Sequence, residues 1–407
     1  MALTKLSPKG LSYLSRVLEW QAYYRSVACK AFVVQYHRSH KETFRFAEMI
    51  ESVGKKPQMI PSNDSLIFGK TMTDHMFEVH WTSERGWGTP HIDGYHPLNL
   101  DPAAKCLHYS IELFEGMKAF CGEDKKIRLF RPTDNFNRMN DSARRICMPT
   151  FDTEEMRLCL HRFVELEKDW VPQEEGYSLY IRPTMIGIEP TLGVSHSTQV
   201  LLYVIASPVG PYFPTGMKPV SLLADPEYVR AWPGGGGNTK LGSNYGPTLL
   251  INKKATEKGC QQVLWLFGND QSITEAGTMN VFVHLINADG ENELITPPLS
   301  EGVILPGVVR RSVLELARAW GHTKISERTI NMAELIEAHE DNRLLEVFGA
   351  GTACVVCPVE RIHYKSRDIH INTMSTPDPL YARLYKELND IYYGRMSNPW
   401  TEVVCEA

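Results

Sequence analysis

The 407-residue chain contains no apolar run of membrane-spanning length; its longest apolar stretches are strand-sized and broken by proline or charge. It also lacks an excess of basic charge. Its 43 Lys and Arg face 48 Asp and Glu, and the net charge of −5 offers nucleic acid or an anionic membrane no electrostatic reason to bind. Nine cysteines are scattered without a disulfide framework, as suits a reducing compartment. The one close pair, Cys354 and Cys357, has no second C-x-x-C or H-x3–5-H at suitable spacing, so no metal site is expected. Tandem repeats, low-complexity tracts and the uninterrupted apolar core of a secretory signal are missing too. What remains is an ordinary globular composition, 43% hydrophobic and 22% charged, with length for two domains.

Residues 1–45 carry eight Lys or Arg against Glu19 and Glu42, and Leu11, Leu14 and Leu18 share one helical face. Basic, acid-poor and amphipathic is the profile of a mitochondrial transit peptide, with a basic extension of a cytoplasmic protein as the alternative. Residues 1–60 are therefore read as transit peptide and extension, and 61–207 as a smaller N-terminal α/β domain. Residues 208–219 lie in a stretch with four prolines and two glycines (Ser207–Pro219) and are read as a linker. Residues 220–407 are read as a larger C-terminal domain. Strands are expected at His75–Trp81, Lys126–Phe130, Ser178–Arg182 and Gln199–Ser207, the last a nearly continuous apolar run. Asp152-Thr-Glu-Glu155 reads as a capping box, and Asn331 as a second helix cap.

The most unusual stretch is Ala231-Trp-Pro-Gly-Gly-Gly-Gly-Asn-Thr-Lys240-Leu-Gly-Ser-Asn-Tyr245-Gly. Four consecutive glycines bury no side chain, but they permit positive φ and close approach to the main chain. Lys240 follows them, with few charged groups nearby, which suits an amine acting as nucleophile towards a carbonyl. A phosphate loop would need Gly-Lys-Ser/Thr, and a dinucleotide fingerprint a third Gly in register; neither is present.

Six words occur in order along the chain: LHYSIELFEGMKAF (107–120), SLYIRPTMIGIEPTLGV (178–194), GNTKLGSNYG (237–246), TEAGTMNVFV (274–283), ILPGVVRRSVLELA (304–317) and GTACVVCPV (351–359). With them the chain resembles the branched-chain amino-acid aminotransferases, fold-type-IV enzymes of pyridoxal 5'-phosphate. The resemblance implies a mixed α/β, two-domain homodimer with the cofactor between its domains. It implies transamination of leucine, isoleucine and valine with 2-oxoglutarate. Other fold-type-IV enzymes (a D-amino-acid aminotransferase or an aminodeoxychorismate lyase) and a non-catalytic cofactor-binding regulator are the competing readings.

By the same resemblance Lys240 is the catalytic lysine and holds the cofactor's aldehyde. Glu275 faces the pyridine nitrogen, Tyr245 the phenolic oxygen, and Arg138 with the helix start at Val308 and Val309 the phosphate; Thr278 and Thr352 are further cofactor contacts. Thr352 and Ala353 offer backbone N–H groups to the substrate carboxylate. Phe68, Phe114, Tyr180, Thr278 and Ala353 line the side-chain pocket, while Tyr109 and Val194 come from the partner subunit. Arg182 tunes the pocket entrance or orients Tyr180, and Lys118 matches without an evident role. Cys354 and Cys357 are a candidate redox pair.

Overall fold

The computed structural model describes residues 40–52, 58–212 and 217–407. Most of the expected transit segment lies outside the described residues. Two β-sheets organise the remainder.

The first is ten-stranded and centres on Gln199–Val209, which pairs antiparallel with His75–Thr82 on one side and Ser178–Gly187 on the other. Beyond Ser178–Gly187 come Met117–Cys121 and Lys126–Phe130. The short strand Glu112–Phe114 also pairs with Ser178–Gly187. Helices Pro132–Arg145 and Thr153–Leu166 cover this sheet, and Phe136, Met139, Met156 and Phe163 share its buried cluster. One end of the expected capping box forms: Asp152 accepts from the N–H groups of Glu154 and Glu155. The reciprocal bond is diverted. Glu155 accepts from Phe46 N–H, while Asp152 N–H donates to Thr43.

The second sheet has nine strands, in the order Ser272–Ala276, Gln262–Phe267, Val220–Ala224, Val355–Tyr364, Leu344–Gly351, Met279–Ile286, Asn292–Thr296 and Lys324–Glu327, with Arg367–His370 beside Val355–Tyr364. Ser272–Ala276 also pairs with Met279–Ile286, which closes six of these strands into a ring and leaves the ring itself no open edge. The alternating apolar residues of these strands, among them Leu222, Leu264, Ile273, Val281, Val347 and Val359, form one buried cluster.

Helices Val308–Trp320 and Leu380–Tyr392 join the two halves. Their apolar faces share a cluster with Phe282 and Phe348 of the second sheet and with Phe120 and Phe130 of the first. The last strand, Thr401–Glu406, departs from the expected grouping of 220–407: it returns to the first sheet and pairs with Lys126–Phe130. The expected linker also starts late, because the strand Gln199–Val209 runs two residues into it.

Candidate active site

A cavity of about 670 Å³ opens between the two sheets. Lys240 reaches it from the glycine-rich segment, whose shape is set by its own packing. Gly234 has a φ of +80°, and a Cβ at Gly237 would lie 2.2 Å from the Ala231 side chain. The backbone of Lys240 is pinned at both ends. Its N–H donates to Ser142 Oγ at 2.9 Å, and its carbonyl accepts from Phe114 N–H at 3.1 Å. Its ammonium donates to the Tyr245 hydroxyl at 3.1 Å and stands 4.6 Å from the centre of the Phe114 ring.

Ser142 and Arg138 are four residues apart on the helix Pro132–Arg145, so its buried face serves both. Arg138 makes a bidentate pair with Glu115, Nε to Oε1 at 2.8 Å and Nη2 to Oε2 at 2.7 Å, and donates through Nη1 to the Pro306 carbonyl. Asn135, one turn earlier, donates to Glu115 as well. Burial alone would raise the Glu115 carboxyl, but Arg138 outweighs it and holds it below the usual range. The guanidinium is held above its ordinary value by the same pair, against the opposing effect of burial.

Glu275 ends the strand-to-turn segment beside the cavity. It accepts from Leu305 N–H at 2.9 Å and Asn280 Nδ2 at 3.2 Å, and Arg230 Nε lies 2.6 Å from its other oxygen. Burial pushes this carboxyl up; Arg230 opposes the shift. Arg230 in turn donates to the carbonyls of Gly237 and Val303. One use of the glycine-rich segment is therefore to wrap Arg230, which carries a charge towards Glu275.

Phe68, Phe114, Tyr180 and Arg182 line the cavity on the first-sheet side. Arg182 donates to the Tyr180 hydroxyl at 3.0 Å, and Phe68 packs edge-on against Tyr180. Thr278, Val308, Val309, Thr352 and Ala353 line it on the second-sheet side. Val308 and Val309 begin a 13-residue helix behind Gly307, where free N–H groups and the positive end of the dipole suit an anion. Tyr109 and Val194 lie outside the cavity of this single chain, both exposed, with the Tyr109 hydroxyl donating to the Leu192 carbonyl. Cys354 and Cys357 are free thiols and almost wholly buried; burial pushes Cys354 up to about 12 and Cys357 higher still.

Glu115, Arg230, Asn280 and Ser142 escaped the reading of the sequence. A signal existed for two of them: Glu115 is an acid set directly between Phe114 and Gly116, and Arg230 is the last charge before the glycines. Neither pairing is local, and nothing in composition or periodicity joins Arg230 to Glu275.

A lysine held against a tyrosine, two buried arginine–carboxylate pairs and a helix start around one cavity define a site for carbonyl and anion chemistry. The family model "Amino-transferase class IV" matches residues 112–362, and the chain belongs to that class. Within the class it belongs to the branched-chain-amino-acid aminotransferases. It is 53% identical to the mitochondrial enzyme of that name from Rattus norvegicus over 89% of this chain and 93% of the relative. It is likewise 53% identical to the cytosolic one from Mus musculus, over 88% and 93%. Among solved structures, a branched-chain aminotransferase from Thermoproteus uzoniensis with norvaline superposes with a TM-score of 0.64 at 21% identity, covering 80% of this chain and 99% of that one. The branched-chain amino acid aminotransferase from Thermobaculum terrenum, in its PLP-form, does so with 0.63 at 19% identity, covering 80% and 98%. These two likenesses concern the fold.

Proposed function

We propose that the protein moves the amino group of leucine, isoleucine or valine to 2-oxoglutarate, with pyridoxal 5'-phosphate as cofactor, and that it works as a homodimer. The observation that carries the reading is the placement of Lys240 beside Tyr245 in a cavity with Arg138 and a helix N-terminus at its edge and Glu275 beside it. These residues fit the cofactor's three demands. Arg138 and the N–H groups of Val308 and Val309 would hold the phosphate, Glu275 the pyridine nitrogen, and Lys240 the aldehyde. Once bound, the cofactor supplies a carbonyl for the amino group and a ring that accepts electrons from the substrate's Cα.

The protein's own residues do the rest. Lys240 Nζ moves the proton at the substrate Cα, and Tyr245, 3.1 Å away, keeps that amine oriented. Burial pushes the Glu275 carboxyl up, and Arg230, 2.6 Å away, opposes that push and so favours the charged form that a protonated pyridine nitrogen requires. Thr352 and Ala353 take the substrate carboxylate on backbone N–H groups that no acceptor in the described residues answers. Phe68, Phe114 and Tyr180 exclude water and favour a branched apolar side chain. Arg182, a cation without a carboxylate partner among the described residues, is the candidate for the γ-carboxylate of glutamate. Tyr109 and Val194, exposed here, complete the pocket of the partner copy in this reading. The basic segment before residue 40 supports a mitochondrial matrix location, which fractionation of a tagged full-length chain tests.

Borohydride reduction followed by peptide mapping tests the assignment, together with leucine turnover in the presence of 2-oxoglutarate. A pyridoxyl label on Lys240 and turnover are expected. A label elsewhere refutes the lysine, and a label without turnover identifies a non-catalytic binder.

A further inference from the structure

Lys118 has a buried ammonium that the proposed chemistry does not use. It sits in the strand Met117–Cys121, opposite Tyr180, and the residue is 8% exposed. No carboxylate pairs with it among the described residues. Its ammonium donates instead to the Ala353 carbonyl at 3.0 Å, a bond from the first sheet to the turn joining Leu344–Gly351 and Val355–Tyr364 in the second.

That turn needs such a brace. The N–H groups of Thr352 and Ala353 have no acceptor in the described residues, and the turn closes on Val355 with a φ of +64°. A β-branched residue avoids this conformation, and strained backbone persists only where its surroundings over-determine it. Among the described residues, the side chains that share a cavity with Lys118 are uncharged. Asn135 from the helix Pro132–Arg145, Thr352 from the turn and Tyr392 from the last helix share with it a cavity of about 20 Å³, and the Cys354 thiol stands beside it. Burial lowers the ammonium to about 8, with Cys354 opposing the shift. A buried ammonium without a counter-ion is costly unless an anion arrives nearby.

We propose that Lys118 is a positioning residue for the substrate's carboxylate. It fixes the Thr352–Ala353 turn from the opposite domain and puts a positive charge behind the N–H groups that receive the anion. The inference rests on reading that turn as the carboxylate site. Substrate binding then weakens as Lys118 loses its proton, above about pH 8.

The test is calorimetric titration of the holoenzyme with 4-methylvalerate, which has leucine's skeleton and carboxylate but no amine, from pH 6.5 to 9.5. Lys118→Met is expected to weaken binding at pH 7 by about tenfold or more, the worth of a charge-assisted bond. The KM for leucine should rise more than kcat falls. Lys118→Arg, which stays charged, should bind within about threefold of wild type and lack the alkaline loss of affinity. Lys118→Gln keeps a donor without charge, so it should bind more weakly than wild type at pH 7 and show no alkaline loss either; it serves if Lys118→Met does not fold by circular dichroism. Binding by the Met or Gln variant within twofold of wild type overturns the proposal, as does an alkaline loss that survives in all three variants. Failure of the underlying reading is separate and visible first: wild-type enzyme would then neither bind 4-methylvalerate nor turn leucine over, and the inference would fall with it.

Discussion

Replacing Lys118 by Met should leave the protein at least as stable at neutral pH and make it less stable in alkali. Burial lowers the ammonium from 10.5 to about 8, and that drop corresponds to roughly 3 kcal/mol of stability lost to wild type below pH 8. The sign follows from proton counting. Between pH 8 and 10.5 the unfolded chain still holds a proton that the folded protein has released, so wild-type stability gains as pH rises through this window. Methionine carries no such penalty at any pH and has a similar length. It does leave the Ala353 carbonyl without its donor, at about 1–3 kcal/mol. At pH 7 the variant should therefore be level with wild type or more stable by up to about 2 kcal/mol. By pH 10.5 it should be the less stable of the two by about 1–3 kcal/mol.

The swing between the two conditions, roughly 3 kcal/mol, does not depend on the value of the hydrogen bond. Other titrating groups cancel because both proteins share them. Urea unfolding of both holoproteins at pH 7, 9 and 10.5, compared at equal m-values, reads the swing directly. A swing under about 1 kcal/mol would refute the reasoning, because the ammonium would then be solvated in the folded protein. Greater stability at pH 7 with poorer carboxylate binding would mark Lys118 as a residue kept for function.

Lys240→Ala should abolish transamination with the fold intact by circular dichroism; turnover within tenfold of wild type sinks its assignment. Glu275→Ala strands Arg230 in a buried setting, at about 3–5 kcal/mol in unfolding free energy, and should slow turnover far more than it lowers cofactor content by absorbance. Arg182→Met should raise the KM for glutamate more than that for leucine, and equal effects on the two would remove it as the γ-carboxylate partner. Cys354 and Cys357 should react with iodoacetamide far more slowly in the native protein than in urea, as peptide mapping would show. Rapid native labelling at both positions would mean that the turn opens, the condition a redox role for the pair demands.

The features legible in the sequence were those encoded locally. Short apolar runs placed strands at 75–81, 126–130, 178–182 and 199–207, the last as a nearly continuous run, and the structure extends three of them, to 75–82, 178–187 and 199–209. Asp152 and Asn331 could be read as caps because each needs only residues two or three positions ahead. Most of the named cavity residues were legible through the resemblance that six words of the chain carry, while Phe68 and Arg138 lie outside those words. Features that depend on folding distant segments together stayed hidden. Arg230 and Glu275 are 45 positions apart, and each looks like a stray charge until the glycine-rich segment and the Ser272–Ala276 strand meet. Thr401–Glu406 looks like a tail because its partner strand lies far back at Lys126–Phe130.

Arg138 was named through the family resemblance alone, and its partner Glu115 was missed. An arginine on the inner face of a helix demands an explanation, since burying a guanidinium without a counter-charge is prohibitive. Its carboxylate answers from a different element, 23 positions earlier, between a short strand and a glycine. The resemblance named Arg138 for the cofactor's phosphate and was silent on any carboxylate partner. Glu115 also fixes how Arg138 can serve the cavity. With Nε and Nη2 committed to Glu115 and Nη1 to the Pro306 carbonyl, the guanidinium plane is set before any anion arrives. Binding then adds no rotamer entropy cost at that side chain, which favours a rigid anion site over a flexible surface arginine.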